Sequence, residues 1–292
     1  MQQLAPSAAK SLRTVEEEMV SDRLAKPVAW VDGWPVNVAN LEDAVSAAIE
    51  ATELRTPTAV FTLNLDHVVK LRQNSNFRRA YQSASMVTAD GAPVVWLGRS
   101  QASSLRRTTG ADLVLPLVKA AAAKDLPIAL FGTSRPIIDA VTAKLAELGG
   151  ASLRIAYADS PIMGFDPQGA DADALLNDIV ASGSRIVFVA LGAPKQELFA
   201  ARAVERRLPL TFVCVGAGLD FIANAQVRAP HLLQSSGLEW VWRLANDPRR
   251  LLMRYVACAG VLADIAVVKP TMRRLVGNKG KSERPPSVRQ WH

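Results

Sequence analysis

Asp90 is the carboxylate best placed to do chemistry: it follows the apolar pair Met86-Val87 and precedes Gly91. In an open parallel sheet, ligands bind beyond the carboxyl ends of the strands, where loops lead into helices. A carboxyl at such an end is partly desolvated, which raises its pKa toward that of a working general base. An Asp-Gly turn that only caps the next helix fits the same spacing. Four more strand ends carry polar residues or glycine: Thr62-Leu63-Asn64, Phe131-Gly132-Thr133, Leu191-Gly192-Ala193-Pro194-Lys195-Gln196-Glu197 and Gly216-Ala217-Gly218-Leu219-Asp220. Glycine at a strand-to-helix turn lets main-chain N–H groups approach an anion, so several together point to a ligand with phosphates. Each one alone is equally a tight turn.

Other residues with chemical potential read more plainly. Asp171-Ala-Asp173 has the spacing of a metal-binding Asp-x-Asp, but it follows Gly169-Ala170 rather than an apolar strand, as a helix N-terminus does. His67, beside Asp66, reads as a solvated or capping residue, and His231 has no partner carboxylate in sequence. Trp240 and Trp242 fall on opposite sides of a helix, where core packing competes with a membrane surface. Gly216-x-Gly218 lacks the third glycine of a dinucleotide fingerprint, and neither a Walker A loop nor a Gly-x-Ser-x-Gly elbow is present.

The elements that must position these residues alternate along the chain. Strands are expected at Ala59–Leu63, Met86–Ala89, Pro127–Phe131, Leu153–Tyr157, Arg185–Leu191 and Leu210–Val215. Helices are expected at Leu41–Ala51, His67–Ser83, Ala111–Lys124, Pro136–Leu148, Asp171–Ala181 and Lys195–Arg207, with apolar residues recurring at three and four (Val114, Leu117, Val118, Ala121). Apolar strands alternating with helices imply an α/β fold, a parallel sheet with helices on both faces. After Val215 the pattern changes to two helices, the second opening at Asp247-Pro248 with Arg250 and Arg254 four apart on one side. They read as an appendage to the sheet domain. The expected division is a flexible leader over 1–26, the sheet domain over 27–230, a helical appendage over 231–276 and a disordered basic tail over 277–292.

Charge sharpens this division. The 292 residues carry 34 basic and 27 acidic side chains, a net +7. Residues 1–239 hold 23 basic and 24 acidic groups, and residues 240–292 hold 11 and 3, so the excess belongs to the last 53 residues. That argues against a protein that coats nucleic acid and for one basic surface on a neutral body. Two cysteines exclude a disulfide scaffold, and Cys214 lies in a Thr-Phe-Val-Cys-Val run typical of a buried strand. No His or Cys spacing suggests a zinc site. Glu16-Glu17-Glu18 interrupts any secretory signal, and Tyr255–Val268 is shorter than a bilayer span and contains Asp264. A cytoplasmic protein is expected.

Taken in order from about Val31 to Tyr255, these stretches strongly resemble the WecG/TagA/CpsF family of bacterial glycosyltransferases. The matching pieces are Thr62-Leu-Asn64, Thr88-Ala-Asp90-Gly91, Arg107-Thr-Thr-Gly110-Ala-Asp112-Leu, Leu130-Phe-Gly132, Leu191-Gly-Ala-Pro-Lys-Gln-Glu197, Val215-Gly-Ala-Gly-Leu-Asp-Phe221, Arg228-Ala-Pro230, and Gly237-Leu-Glu-Trp240 with Arg243 and Asp247-Pro-Arg-Arg250. Leu63 stands where the family usually has Pro, and Met253 where a basic residue is common. The resemblance implies a Rossmann-like sheet, a C-terminal appendage that completes the site, and an inverting transferase. It would move a hexose or N-acetylhexosamine from a UDP-sugar to a polyprenyl-diphosphate-linked saccharide in cell-surface polysaccharide synthesis, such as exopolysaccharide, at the inner face of the plasma membrane.

Carried over by position, Asp90 is the expected general base, with Thr62 and Asn64 lining its pocket and Arg107 and Gln196 contacting phosphate and hydroxyls. Gly110 belongs to the matching Arg107–Leu113 stretch and is counted with the donor-binding glycines. Gly132, Gly192, Gly216 and Gly218 would hold UDP, with Lys195 and Asp220 nearby. Arg243, Arg250 and Arg254 would meet the acceptor diphosphate and an anionic membrane surface. No metal or other cofactor is implied, no nucleic acid is expected, and a homo-oligomer is open. Two competing classes remain: an NAD-dependent nucleotide-sugar-modifying enzyme, which lacks a full glycine fingerprint and a Tyr-x-x-x-Lys pair, and a non-enzymatic basic module acting through residues 240–292.

Overall fold

The computed structural model describes residues 26–226, 229–230, 232–233 and 239–268. A six-stranded parallel sheet forms the centre, in the order β4-β3-β8-β7-β5-β6. Its strands are β3 (Thr58–Leu63), β4 (Met86–Ala89), β5 (Ile128–Gly132), β6 (Ile155–Asp159), β7 (Ile186–Ala190) and β8 (Thr211–Cys214). They fall on the six apolar runs of the sequence, with β6 starting and ending two residues later than expected. All but the edge strand β6 are buried at every position, as a sheet covered on both faces requires.

Side chains of successive strand residues point to opposite faces, so one sheet supports two cores. Phe61, Leu63, Val87, Ala89, Phe131, Val187, Val189 and Phe212 enter one core. Val60, Met86, Ile128, Leu130, Ile186, Phe188 and Val213 enter the other. Helices α1 (Leu41–Leu54), α5 (Gly110–Ala123) and α6 (Arg135–Gly149) supply residues to the second core. Helices α2 (Leu65–Gln73), α3 (Ser75–Gln82), α7 (Ala170–Ala181) and α8 (Lys195–Glu205) cover the first.

Three local features depart from the sequence reading. The helix expected over 67–83 is two helices. Asn74 breaks it, because its backbone is extended and its side chain accepts the Phe77 N–H at 3.0 Å, capping α3. A hairpin of β1 (Ala29–Val31) and β2 (Trp34–Val36) precedes the sheet, turning through Asp32 and Gly33, both at positive φ. Helix α4 (Ala92–Gly98) follows Gly91 directly.

After the short helix α9 (Gly218–Ile222), the C-terminal helices are α10 (Glu239–Asn246) and α11 (Pro248–Ala263), and α11 starts at Pro248 as expected. A single π turn, Asp264–Val268, continues it. Helix α11 lies against α2. Leu251 and Cys258 are buried, and Val261 and Ile265 pack onto the first core. Ion pairs fasten the seam: Arg254 to Asp66 at 3.1 Å, and Asp264 to Arg72 at 2.7 Å, with Arg72 also gripping Asp32 of the hairpin. Helix α11 is therefore fixed to the sheet domain through α2.

Candidate active site

All six strands run parallel, so their carboxyl ends line one edge of the sheet, and the site residues gather there in two groups. The first lies at the ends of β3 and β4. Asn64 caps α2, its Oδ1 accepting the His67 N–H at 2.9 Å, which fixes the amide and aims Nδ2 at Asp90 Oδ2, 3.1 Å away. The Asp90 backbone N–H donates to the Leu63 carbonyl at 2.8 Å, which continues the strand pairing out to the edge. Burial pushes the Asp90 carboxyl above its ordinary range, against the opposing pull of the Asn64 hydrogen bond and of Arg243 and Arg107, with Glu239 adding to the rise. A carboxyl poised in this way suits proton abstraction.

Arg107 and Arg243 both reach this group and share one carboxylate. Glu239 Oε2 lies 3.4 Å from Arg107 and its Oε1 3.5 Å from Arg243. Arg107 also stands 3.8 Å from Asp112, which closes the capping box of α5 with Thr109. Arg243 lies over the Phe221 ring at 5.7 Å. Helix α10 thus brings a cation and its counter-charge to the edge that holds Asp90. Thr62 is buried on β3, paired with Thr88 of β4, and its carbonyl accepts the Tyr81 hydroxyl at 2.8 Å.

The second group lies at the ends of β5, β7 and β8, and here backbone dominates. Gly132 has φ +128, and a Cβ on it would sit 2.5 Å from the Ala190 carbonyl, so no other residue fits. Gly110 is equally confined, 2.7 Å from the Cys214 oxygen and Val215 Cα, and Gly218 is held close to Ala111 of α5. These three let chain segments touch. Gly192 and Gly216 take positive φ with open space where a Cβ would stand. Asp220 accepts the Thr133 hydroxyl at 2.9 Å. Lys195 donates to the Phe165 carbonyl at 3.1 Å beside a cavity of about 210 Å³ lined by Thr133, Ile162, Phe165 and Leu191.

A sequence profile of the glycosyl transferase WecG/TagA/CpsF family matches residues 29–274, most of the chain. The chain belongs to this family. Its residues at the sheet edge are accordingly those of a glycosyltransferase.

Asp90, Asn64 and Arg107 converge in the transferase, and Arg243 joins them from α10. Gln196 is buried: it is 3% exposed, its Oε1 accepts the Gly216 N–H at 3.0 Å, and its Nε2 donates to Glu197 at 2.7 Å. Both ends of the amide face protein. Arg254 is engaged by Asp66. The Arg250 side chain, Arg228, His231 and Gly237 lie outside the described residues, as do residues 1–25 and the basic stretch from Lys269.

His67 corrects the solvated reading. It is buried, its Nδ1 lies 2.6 Å from the Tyr81 hydroxyl, and burial and then Lys70 hold its pKa down to about 3, a neutral ring at physiological pH. Only its backbone N–H serves the helix cap. Asp173 is taken by Arg202 at 2.6 Å and Arg206 at 3.1 Å, near the start of α7. Sequence reasoning missed Glu239 as the shared partner of two arginines, although it stands inside the Gly237–Trp240 match. It also missed the buried Glu197.

Proposed function

We propose that this glycosyltransferase transfers a hexose or N-acetylhexosamine from a UDP-sugar to a polyprenyl-diphosphate-linked saccharide by a single inverting displacement. Asp90 supports this reading most directly: a carboxyl raised by burial, held by a fixed amide, at the ligand edge of a parallel sheet. In the proposed step the acceptor hydroxyl oxygen attacks the anomeric carbon while Asp90 takes its proton. The carbon–oxygen bond to the diphosphate breaks on the opposite face, and UDP leaves with the electron pair.

The departing diphosphate gains charge, and preorganised cations stabilise charge as it develops. Arg107 and Arg243 are placed for this role, with Arg250 added by its place in the sequence. Glu239 balances the two arginines in the absence of substrate and keeps them near Asp90. The β5/β7/β8 edge, with Gly192, Gly216, Lys195 and Asp220, serves as the donor side in this scheme. Gln196 then acts on the donor turn from within. Arg254 holds α11 in place through Asp66. No metal or cofactor enters the scheme.

The acceptor is a lipid, and the appendage offers a surface for it. Trp240, Leu252, Met253 and Val256 are exposed on α10 and α11, Met253 to 73%. No helix among the described residues is long and apolar enough to cross a membrane. Together with the +8 carried by residues 240–292, at about 1 kcal/mol for each Lys or Arg near an anionic surface, these side chains suit peripheral attachment to the inner membrane face.

The deciding experiment incubates the protein with a panel of UDP-sugars and a short-chain lipid-diphosphate-sugar, and identifies the product by mass. One sugar should add, with inverted anomeric configuration and release of UDP. Retention of configuration, or no transfer from any UDP-sugar, would overturn the scheme.

A further inference from the structure

Glu197 is wholly buried and takes no direct part in the proposed displacement. One carboxyl oxygen, Oε1, accepts from Gln196 Nε2 at 2.7 Å, while Oε2 has no hydrogen-bond partner. A buried carboxyl with an unsatisfied oxygen costs stability, so its retention asks for a reason. The reason lies one bond further on. An amide side chain can point either way, and the Gly216 N–H at one end and the Glu197 acceptor at the other together fix Gln196 with its oxygen toward Gly216. Gly216, at φ +54, is where the chain leaves β8 and turns toward Gly218 and Asp220.

We propose that Glu197 is a positioning residue for the Gly216 turn, acting through Gln196. The effect on substrate rests on reading that turn as the donor side, whereas the effect on the turn itself does not. Groups around the carboxyl favour the neutral state. Tyr81 of α3 and Cys214 of β8 both feel Glu197 and are themselves pushed up by burial, so neither carries charge. From α2, His67 is neutral, and Lys70 and Asp66 pair with each other at 2.5 Å. Burial raises Glu197 to about 7, offset by the Gln196 hydrogen bond, its own backbone N–H and Lys70, with Asp66 pushing the other way. Ionisation above that point leaves a charge in the core with one side-chain donor. Relief requires water or a shift of the α8 N-terminus, and the Gly216 turn moves with it.

Two variants of the full chain separate positioning from plain packing. Glu197→Gln preserves the shape and the acceptor of the neutral acid, and Glu197→Leu removes the acceptor but fills the space. Folding is checked by thermal melting, the turn by the ¹⁵N–¹H signal of Gly216 in glycine-labelled protein, and the donor side by titration with UDP between pH 6 and 8. In the wild type the Gly216 signal should shift with pH around 7 and UDP affinity should fall severalfold across the range. Glu197→Gln should abolish the Gly216 shift, leave only the pH dependence that the terminal phosphate of UDP itself brings, and bind UDP within about twofold of the wild type at pH 6. Glu197→Leu should displace the Gly216 signal at every pH and weaken UDP about tenfold while still melting cooperatively. A Gly216 signal that titrates identically in the wild type and Glu197→Gln, or is unmoved in Glu197→Leu, overturns the proposal. If the signal behaves as expected but UDP does not bind the wild type, the positioning role stands and the donor reading falls.

Discussion

The two halves of the sheet's carboxyl edge work with different materials. At β3 and β4 the edge is built from charged and amide side chains: Asp90, Asn64, Arg107, and Glu239 and Arg243 from α10. At β5, β7 and β8 it is built from backbone, with Gly132 and Gly192 at turns and Gly216 held from inside by Gln196. A side-chain site can lose its chemistry without losing its shape. A backbone site cannot, because the residues that form the surface also join the strands to the helices. Mutations in the two halves should therefore separate function from stability in one and couple them in the other.

The sharpest test of this contrast is Asp90→Asn. Removing a general base should lower the transfer rate by about 10²–10⁴, while the Asn64 contact and the melting temperature survive. Near-wild-type transfer would remove Asp90 from the mechanism. Because burial raises its pKa, the acid limb of the wild-type pH–rate profile should lie above the ordinary aspartate range. Gly132→Ala should do the opposite kind of damage. Its methyl group would meet the Ala190 carbonyl at 2.5 Å in a backbone conformation that L residues rarely adopt, a loss of about 3 kcal/mol in urea unfolding. Activity should fall with the folded fraction. If the alanine variant unfolds like the wild type yet loses transfer, the coupling drawn here for the glycine half is wrong.

Glu197→Gln gives a smaller and pH-dependent change. Below about pH 4.5 the acid is protonated in both folded and unfolded chains, so it contributes no difference. Between about 4.5 and 7 the unfolded chain ionises while the folded chain keeps its proton, and stability declines as pH rises. The full loss, with an upper bound of about 3 kcal/mol, is present above pH 7. The glutamine variant lacks it, so its advantage over the wild type should grow across that window in denaturant titrations. His67 acts with the opposite sign: neutral in the fold and held down to about 3, it withdraws stability as pH falls below about 6.5. Smallest of all, Arg254→Ala breaks a partly exposed ion pair, at about 0.2–1 kcal/mol. If Arg254 serves α11 through Asp66, then Asp66→Asn and Arg254→Ala should change acceptor use alike. A loss of acceptor affinity confined to Arg254→Ala would return that arginine to the lipid diphosphate.

Much of this architecture is written in local sequence. Six apolar runs mark six strands because a sheet covered on both faces buries every residue of its inner strands. Asp90 and Asn64 are legible because each follows such a run directly. The hairpin at Ala29–Val36 is not legible from periodicity, since three-residue strands are too short to show it; only Asp32-Gly33 signals the turn. Asn74 similarly hides a helix break inside one continuous amphipathic pattern.

What the chain determines by itself is the sheet, its carboxyl edge, and the residue types along that edge, because these follow from hydrophobic period and strand-end position. Which of them face each other is decided by the fold. Glu239 meets Arg107 across 132 positions of sequence, Arg254 meets Asp66 across 188, and Gln196 turns inward to Gly216. Such pairings depend on how β3, β4, β7 and β8 are ordered in space and on where α11 settles against α2. Local sequence carries no record of that order. The glutamine to which the family resemblance gives a phosphate or hydroxyl contact lies, once β7 and β8 are side by side, with its oxygen on the Gly216 N–H.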